Sequence, residues 1–219
     1  MGKKLHALGE CPVIHCRKQL QPENAATNFK SPTLSVKLAI EKQLLKSEHK
    51  ILEIGAGNLR NALYILKCFP KGDVSVFELK ATINRFRDRY EKFRRLGGHL
   101  INCEYGSLKY DAVICTFVLE TICPFKKRTM VLKNIRRALK NRGLLIISLR
   151  GYPGVRGSRY KQCPKREGLI TPFNTFVKPY SISEVHKFLG DCGFKHLFTF
   201  QKYRVDKPEN IHIMAVNGD

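Results

Sequence analysis

Leu52-Glu53-Ile54-Gly55-Ala56-Gly57-Asn58-Leu59-Arg60-Asn61 is the stretch from which the rest of this chain is read. The apolar run Lys50–Ile54 just ahead has the length and composition of a buried strand, and residues 58–69 carry their apolar side chains at helical spacing. Between the two stand Gly55 and Gly57, which lack a Cβ and so permit a tight turn with a ligand close to the backbone. Past Pro70 and Gly72 a second strand, residues 74–78, ends in Glu78, about 20 residues beyond the glycines. A carboxylate at that tip can accept hydrogen bonds from both hydroxyls of an adenosine ribose. Together these elements predict an adenosine site at the carboxyl edge of a parallel sheet.

Two kinds of adenosine cofactor use this geometry. The third glycine of a dinucleotide fingerprint falls at Arg60, whose bulk opposes the close helix–strand packing of a pyrophosphate site. Glu53, two residues before the first glycine, suits a cofactor that carries an amine and a sulfonium rather than phosphates. The expected cofactor is S-adenosylmethionine.

Outward from this centre the chain alternates strand and helix signals. Ser31-Pro32 opens a helix that ends near Lys46, and residues 1–30 show no period and read as an N-terminal arm. Downstream follow a helix over 85–96, strands over 99–103 and 112–118, a helix over 126–140 and an apolar strand over 144–149. A helix over 181–190 opens on the capping-box pair Ser181 and Glu184, and strands over 194–203 and 211–216 form a terminal hairpin. Such alternation predicts an α/β, doubly wound, mainly parallel sheet, because parallel strands need crossover helices. Residues 31–219 are read as one domain with a long basic loop over 151–180. That loop is rich in Gly, Pro and cations near its start and exceeds the ~12–15 residues usual in compact domains, which marks it as a substrate lid.

The motifs carry a resemblance to a known superfamily. Leu52-Glu53-Ile54-Gly55-Ala56-Gly57 resembles motif I of class I S-adenosylmethionine-dependent methyltransferases, and Val76-Phe77-Glu78-Leu79 resembles their second acidic motif. Residues 110–122 resemble the fourth strand and its turn, and residues 132–149 the helix and strand that follow. The similarity covers residues 33–217. Gly57-Asn58-Leu59-Arg60-Asn61, Val118-Leu119-Glu120-Thr121-Ile122, Gly168-Leu169-Ile170-Thr171 and Thr175-Phe176 look like a group of uncharacterised prokaryotic and phage methyltransferases. The resemblance implies a seven-stranded sheet with an antiparallel C-terminal strand. It also implies cofactor contacts: Gly55, Ala56 and Gly57 about the methionine portion, Glu78 about the ribose, and Cys115, Thr116 and Phe117 beneath the sulfonium, with Glu53, Asn58, Asn61 and Leu79 also expected at the cofactor. Two positions depart from the pattern: Leu59 replaces the usual third glycine, and only Cys103 or Glu104 stands where an acid would fix the adenine amino group.

Composition then bears on the acceptor. A formal net charge of +22 recruits polyanions and makes nucleic acid, RNA or DNA, the expected partner. Arg150, Tyr152, Arg156, Arg159, Tyr160, Lys161, Lys165 and Arg166 are the expected substrate residues, since cations neutralise phosphates and aromatic rings stack on unpaired bases. Glu120, just past the fourth strand, is the carboxylate best placed as a catalytic base. The Asp/Asn-Pro-Pro-Tyr/Phe turn that base-amino methylating enzymes commonly carry is replaced here by Thr116-Phe117-Val118-Leu119-Glu120, which leaves the target atom open. A small-molecule or protein acceptor, and a non-catalytic nucleic-acid-binding subunit, are the alternatives. No run approaches the ~18–20 apolar residues of a membrane span, and the start of the chain lacks a secretory pattern, so an intracellular location without membrane partners is expected. Eight scattered cysteines fit a reduced chain, and Cys11, His15 and Cys16 lack a second ligand pair, so no metal is expected.

Overall fold

A computed structural model describes residues 22–25, 30–101, 108–155, 160–163, 167–200 and 208–218. Seven strands form the main sheet: β1 (Lys50–Ile54), β2 (Asp73–Phe77), β3 (His99–Leu100), β4 (Tyr110–Thr116), β5 (Leu139–Arg150), β9 (Phe194–Thr199) and β10 (Asn210–Asn217). Their order is β3-β2-β1-β4-β5-β10-β9. The first five run parallel, and β10 pairs antiparallel with both β5 and β9. The expected doubly wound sheet with an antiparallel C-terminal strand is the one observed. Strand order reverses between β1 and β4, and such a switch point opens a crevice at the carboxyl ends of the strands.

Alternation along the strands sorts the core into two layers. Leu52, Ile54, Val113, Leu145 and Ile147 face α5 (Phe125–Ala138) and α6 (Ile182–Asp191). Ile51, Val74, Val76, Ile114 and Ile146 face the opposite layer of α1 (Leu34–Glu41), α2 (Arg60–Cys68) and α4 (Arg87–Arg95). Each fully buried Ile or Leu contributes about 1.5–3 kcal/mol relative to exposure, which makes a one-residue slip of register prohibitive.

Several boundaries differ from the sequence reading, each for a local reason. α1 begins three residues late because Thr33 spends its backbone N–H and its hydroxyl on Asn61 Oδ1, at 2.8 and 3.2 Å. It ends at Glu41 because the Leu44 and Leu45 N–H groups fold back on the Ala39 carbonyl beside Gln43, whose φ is 55°. The helix expected over 85–96 is the second of two, α3 (Lys80–Arg85) and α4, broken at Phe86. The expected loop over 151–180 holds a 3-10 turn, Tyr152–Gly154, and a small antiparallel sheet of β6 (Lys161–Gln162), β7 (Leu169–Ile170) and β8 (Phe176–Val177). Among the described residues no helix is long and apolar enough to cross a membrane.

Candidate cofactor and acceptor site

The site is built on the turn after β1. Gly55 has φ +68°, and a Cβ there would sit 2.3 Å from Val118 Cγ2, so only glycine lets the β1 and β4 turns approach this closely. Leu59 takes φ 64° at the position usually held by a third glycine. That conformation costs about 1–2 kcal/mol, and full burial of the leucine side chain among Ala56, Ala62 and Ile65 offsets it.

Glu53 is buried behind the turn and accepts from Asn61 Nδ2 at 2.8 Å and from the Ala62 N–H at 3.0 Å. Burial pushes its carboxyl up to about 7, against these two hydrogen bonds. Asn61 also donates to Thr116 Oγ1 at 3.1 Å, so one side chain joins β1, α2, the end of β4 and, through Thr33, the start of α1. Glu53 and Asn61 therefore shape the turn from within.

Glu78 stands at the tip of β2, half-buried, accepting from the Gly57 N–H at 2.6 Å and the Leu79 N–H at 2.7 Å. Burial raises its pKa, opposed first by these backbone donors. A carboxylate fixed by two N–H groups at the open edge still offers lone pairs to a vicinal diol, and the chain therefore fits an adenosine ribose here. Two residues that the sequence reading passed over clamp the same turn from α4: Arg89 Nε donates to the Asn58 carbonyl at 2.6 Å and Tyr90 Oη to the Gly57 carbonyl at 2.8 Å. Tyr90 carried only the signature of a core aromatic, so periodicity alone gave no sign of this contact. The adenine candidates Cys103 and Glu104 lie outside the described residues.

At the end of β4 the backbone turns sharply. Cys115 packs into the α5/α6 layer, and Phe117 takes φ 59° with its N–H donating to the Ser148 carbonyl at 2.7 Å. The Phe117 ring carries two guanidinium groups, Arg60 at 5.6 Å and Arg150 at 5.8 Å from its centroid, and meets the His212 imidazole edge-on at 6.3 Å. His212 Nδ1 and Ser148 Oγ are 2.8 Å apart, and Ser148 Oγ is 2.8 Å from Ser35 Oγ. Burial, with the Arg60 charge second, pushes His212 down to about 4, so its ring is neutral at ordinary pH.

Glu120 follows in a 3-10 turn, Leu119–Thr121, fully buried, and neither carboxylate oxygen has a hydrogen-bond partner among the described residues. Burial pushes it up to about 8, opposed by its own N–H, the Arg150 charge and the Arg150 N–H, although neither N–H reaches hydrogen-bond geometry to the carboxylate. The segment after β8 lies over it: the Lys178 N–H donates to the Glu120 carbonyl at 2.8 Å and the Tyr180 N–H to the Arg150 carbonyl at 2.9 Å. Tyr180 Oη is likewise buried without a partner. An ion pair at 3.1 Å between buried Arg128 and Glu167 ties the small sheet to α5.

Of the expected substrate residues, Arg150 and Tyr160 are half-buried, and Tyr152 and Lys161 are exposed. Tyr152 is joined by Lys178, which the sequence reading missed, with Nζ 3.3 Å from Tyr152 Oη and 3.0 Å from Glu184. Arg156, Arg159, Lys165 and Arg166 lie outside the described residues, as do Cys11, His15 and Cys16.

Residues 52–145 match a family described as a methyltransferase domain. No sequence among the curated proteins matches the chain. Among solved structures, the CcbJ methyltransferase of Streptomyces caelestis is 12% identical, with a TM-score of 0.68 over 91% of this chain and 97% of its own. Human N-acetylserotonin methyltransferase, solved with S-adenosylmethionine, is 16% identical with a TM-score of 0.58 over 84% of this chain and 51% of its own. The 1,6-didemethyltoxoflavin-N1-methyltransferase of Burkholderia thailandensis, solved with its acceptor and S-adenosylhomocysteine, is 14% identical with a TM-score of 0.57 over 84% and 77%. The chain thus spans about half the length of the human enzyme and nearly all of the Streptomyces one.

Proposed function

We propose that this chain, which carries an S-adenosylmethionine-dependent methyltransferase domain on the class I fold, transfers the methyl group to a nucleic acid. The cofactor supplies an electrophilic methyl carbon on a sulfonium. Glu78 holds the ribose diol, with Leu79 beside it. The Gly55–Gly57 turn, kept in shape by Glu53, Asn61, Arg89 and Tyr90, takes the methionine portion, with Asn58 adjoining it. Thr116 and Phe117 close the side toward the acceptor, and the neutral His212 ring braces Phe117.

The observation that carries the acceptor class is the convergence of cations on aromatic rings at this edge, on a chain of net charge +22. Arg60 and Arg150 lie on Phe117, and Lys178 lies on Tyr152 and Tyr180. Such pairs favour a planar, anionic ligand such as a nucleotide, whose base stacks while its phosphates meet the guanidinium groups. Glu120 would serve as the base, taking up the proton that the acceptor atom gives up, while the bound cofactor would supply the methyl group and leave as its neutral thioether. An acid raised to about 8 by burial is well matched to that task at mildly alkaline pH.

A second reading, a small anionic acceptor, is favoured by the complete burial of Glu120, whose backbone carbonyl accepts from the Lys178 N–H: a small group displaces less of the surrounding chain than a polymer does. The structures from Streptomyces caelestis and Burkholderia thailandensis share the fold, and the latter acts on 1,6-didemethyltoxoflavin. Incubation with methyl-labelled S-adenosylmethionine and separate RNA, DNA, protein and metabolite fractions decides between the two. Label in RNA or DNA is expected, and label confined to the metabolite fraction transfers the assignment to the second reading.

A further inference from the structure

The amino edge of the sheet, opposite the glycine turn, holds an open groove of about 880 Å³ where α5 and α6 end and β5 begins. Among the described residues four cations line it, Lys109, Lys133, Arg136 and Arg137, against one acid, Asp191. Lys187 Nζ already lies 3.2 Å from Asp191, and none of the four cations forms an ion pair among the described residues. Cations do collect at helix C-termini, where the backbone presents about half a negative charge per helix. Two helix ends therefore account for about one of these charges, and among the described residues a surplus faces the groove.

Arg136 is held in place rather than left to solvent. Its Nε donates to Asn217 Oδ1 at 3.2 Å and its Nη2 to the Gly218 carbonyl at 3.0 Å, two neutral acceptors that fix the guanidinium without cancelling its charge. Gly193 makes room for it: φ is +86°, and a Cβ there would lie 2.8 Å from Arg136 Cζ. Asn217 Nδ2 in turn donates to the Arg136, Leu139 and Lys140 carbonyls, which binds the end of β10 to the α5–β5 junction. Lys109 Nζ donates to the Arg137 carbonyl at 2.7 Å.

We propose that this groove is a second nucleic-acid site, which takes the phosphate backbone about 20 Å from the reacting edge, the length of β4 at the usual rise per residue. It rests on the nucleic-acid reading above and sharpens it: the acceptor is a chain long enough to pass from one edge of the sheet to the other. Phosphates bind the groove without regard to sequence, so it contributes affinity and register while the opposite edge chooses the base.

The test uses the full chain and labelled single-stranded RNA of about 4 and about 30 nucleotides, the shorter being about 14 Å long at about 3.4 Å per nucleotide and unable to join the two edges. Lys133→Gln/Arg137→Gln is compared with Arg87→Gln/Arg94→Gln, an equal loss of exposed charge on α4. Fluorescence anisotropy over a salt series is expected to show the groove variant binding the longer RNA about tenfold more weakly, with the salt slope reduced by about 1.4. The short RNA and the α4 variant should change less than twofold. Equal losses in both variants, or none in the groove variant while the wild type binds, overturn the groove and leave the nucleic-acid reading standing. No binding of either length by the wild type, as RNA or as single-stranded DNA of the same sequence, removes both.

Discussion

Single residues divide into those whose type announced a role and those that acquire one through their neighbours. Glu78 belongs to the first kind: an acid was expected at the strand tip after the glycine turn, and it stands at that edge held by the Gly57 and Leu79 amides. Replacing it with alanine removes two charge-assisted contacts to a ribose, each worth about 1.5–3 kcal/mol. Calorimetry with S-adenosylhomocysteine should therefore record at least about a 100-fold loss of affinity; an unchanged affinity removes Glu78 from the site. Glu120 belongs to both kinds. Its place after the fourth strand was legible, but its complete burial and lack of partners were not. If it is the base, kcat/KM rises with pH through about 8, the region in which Glu120 becomes a carboxylate. Glu120→Gln should be about 100-fold slower and lose that rise; a variant that keeps the wild-type pH profile rules the role out. Cys115 and Leu59 could not be placed by residue type: the thiol turns into the α5/α6 core, and the leucine pays for its left-handed backbone with burial.

Elements were read best where their signals are local. α6 begins as its sequence demands, with Ser181 Oγ accepting from the Glu184 N–H at 3.1 Å and Glu184 Oε2 from the Ser181 N–H at 2.7 Å. Ser181→Ala should lower stability by about 1 kcal/mol in urea titration, and a change below about 0.3 kcal/mol would mean that packing of Val185 and Leu189 alone sets this helix. Strands β1, β2, β4 and β5 were legible because burial on both faces demands continuous apolar runs. The small sheet β6–β8 was not: strands of two residues leave no periodic trace, and they are fixed by contacts from elsewhere, Arg128 to Glu167 and Cys123 and Cys163 against Phe176. The break between α3 and α4 was equally silent, yet it sets the α4 side chains Arg89 and Tyr90 against the glycine turn.

For the molecule as a whole, buried ionisable groups make stability depend on pH in a direction that can be worked out. Glu53 and Glu120 have folded-state values of about 7 and about 8, above the ordinary 4.5, so the native state holds more protons than the unfolded chain and their contribution is lost as pH rises through those values. His212, lowered to about 4, acts oppositely but only below its ordinary 6.5. Above pH 6.5 the carboxyls act alone, and unfolding free energy should fall by about 2 kcal/mol by pH 8. Urea titrations at the two pH values check this, and equal or greater stability at pH 8 contradicts the assigned burial. The sequence by itself determined the alternating α/β fold, the glycine turn with an acid at the tip of the next strand and the net positive charge, because each depends on residue type and spacing along the chain. Tertiary structure alone decided that Asn61 and Tyr90 hold that turn, that two guanidinium groups share the Phe117 ring, that the buried Glu120 carboxylate has no hydrogen-bond partner among the described residues and that four cations line a groove at the far edge. Those features join residues distant in the chain, and only packing of the two helical layers on the sheet fixes which side chains meet.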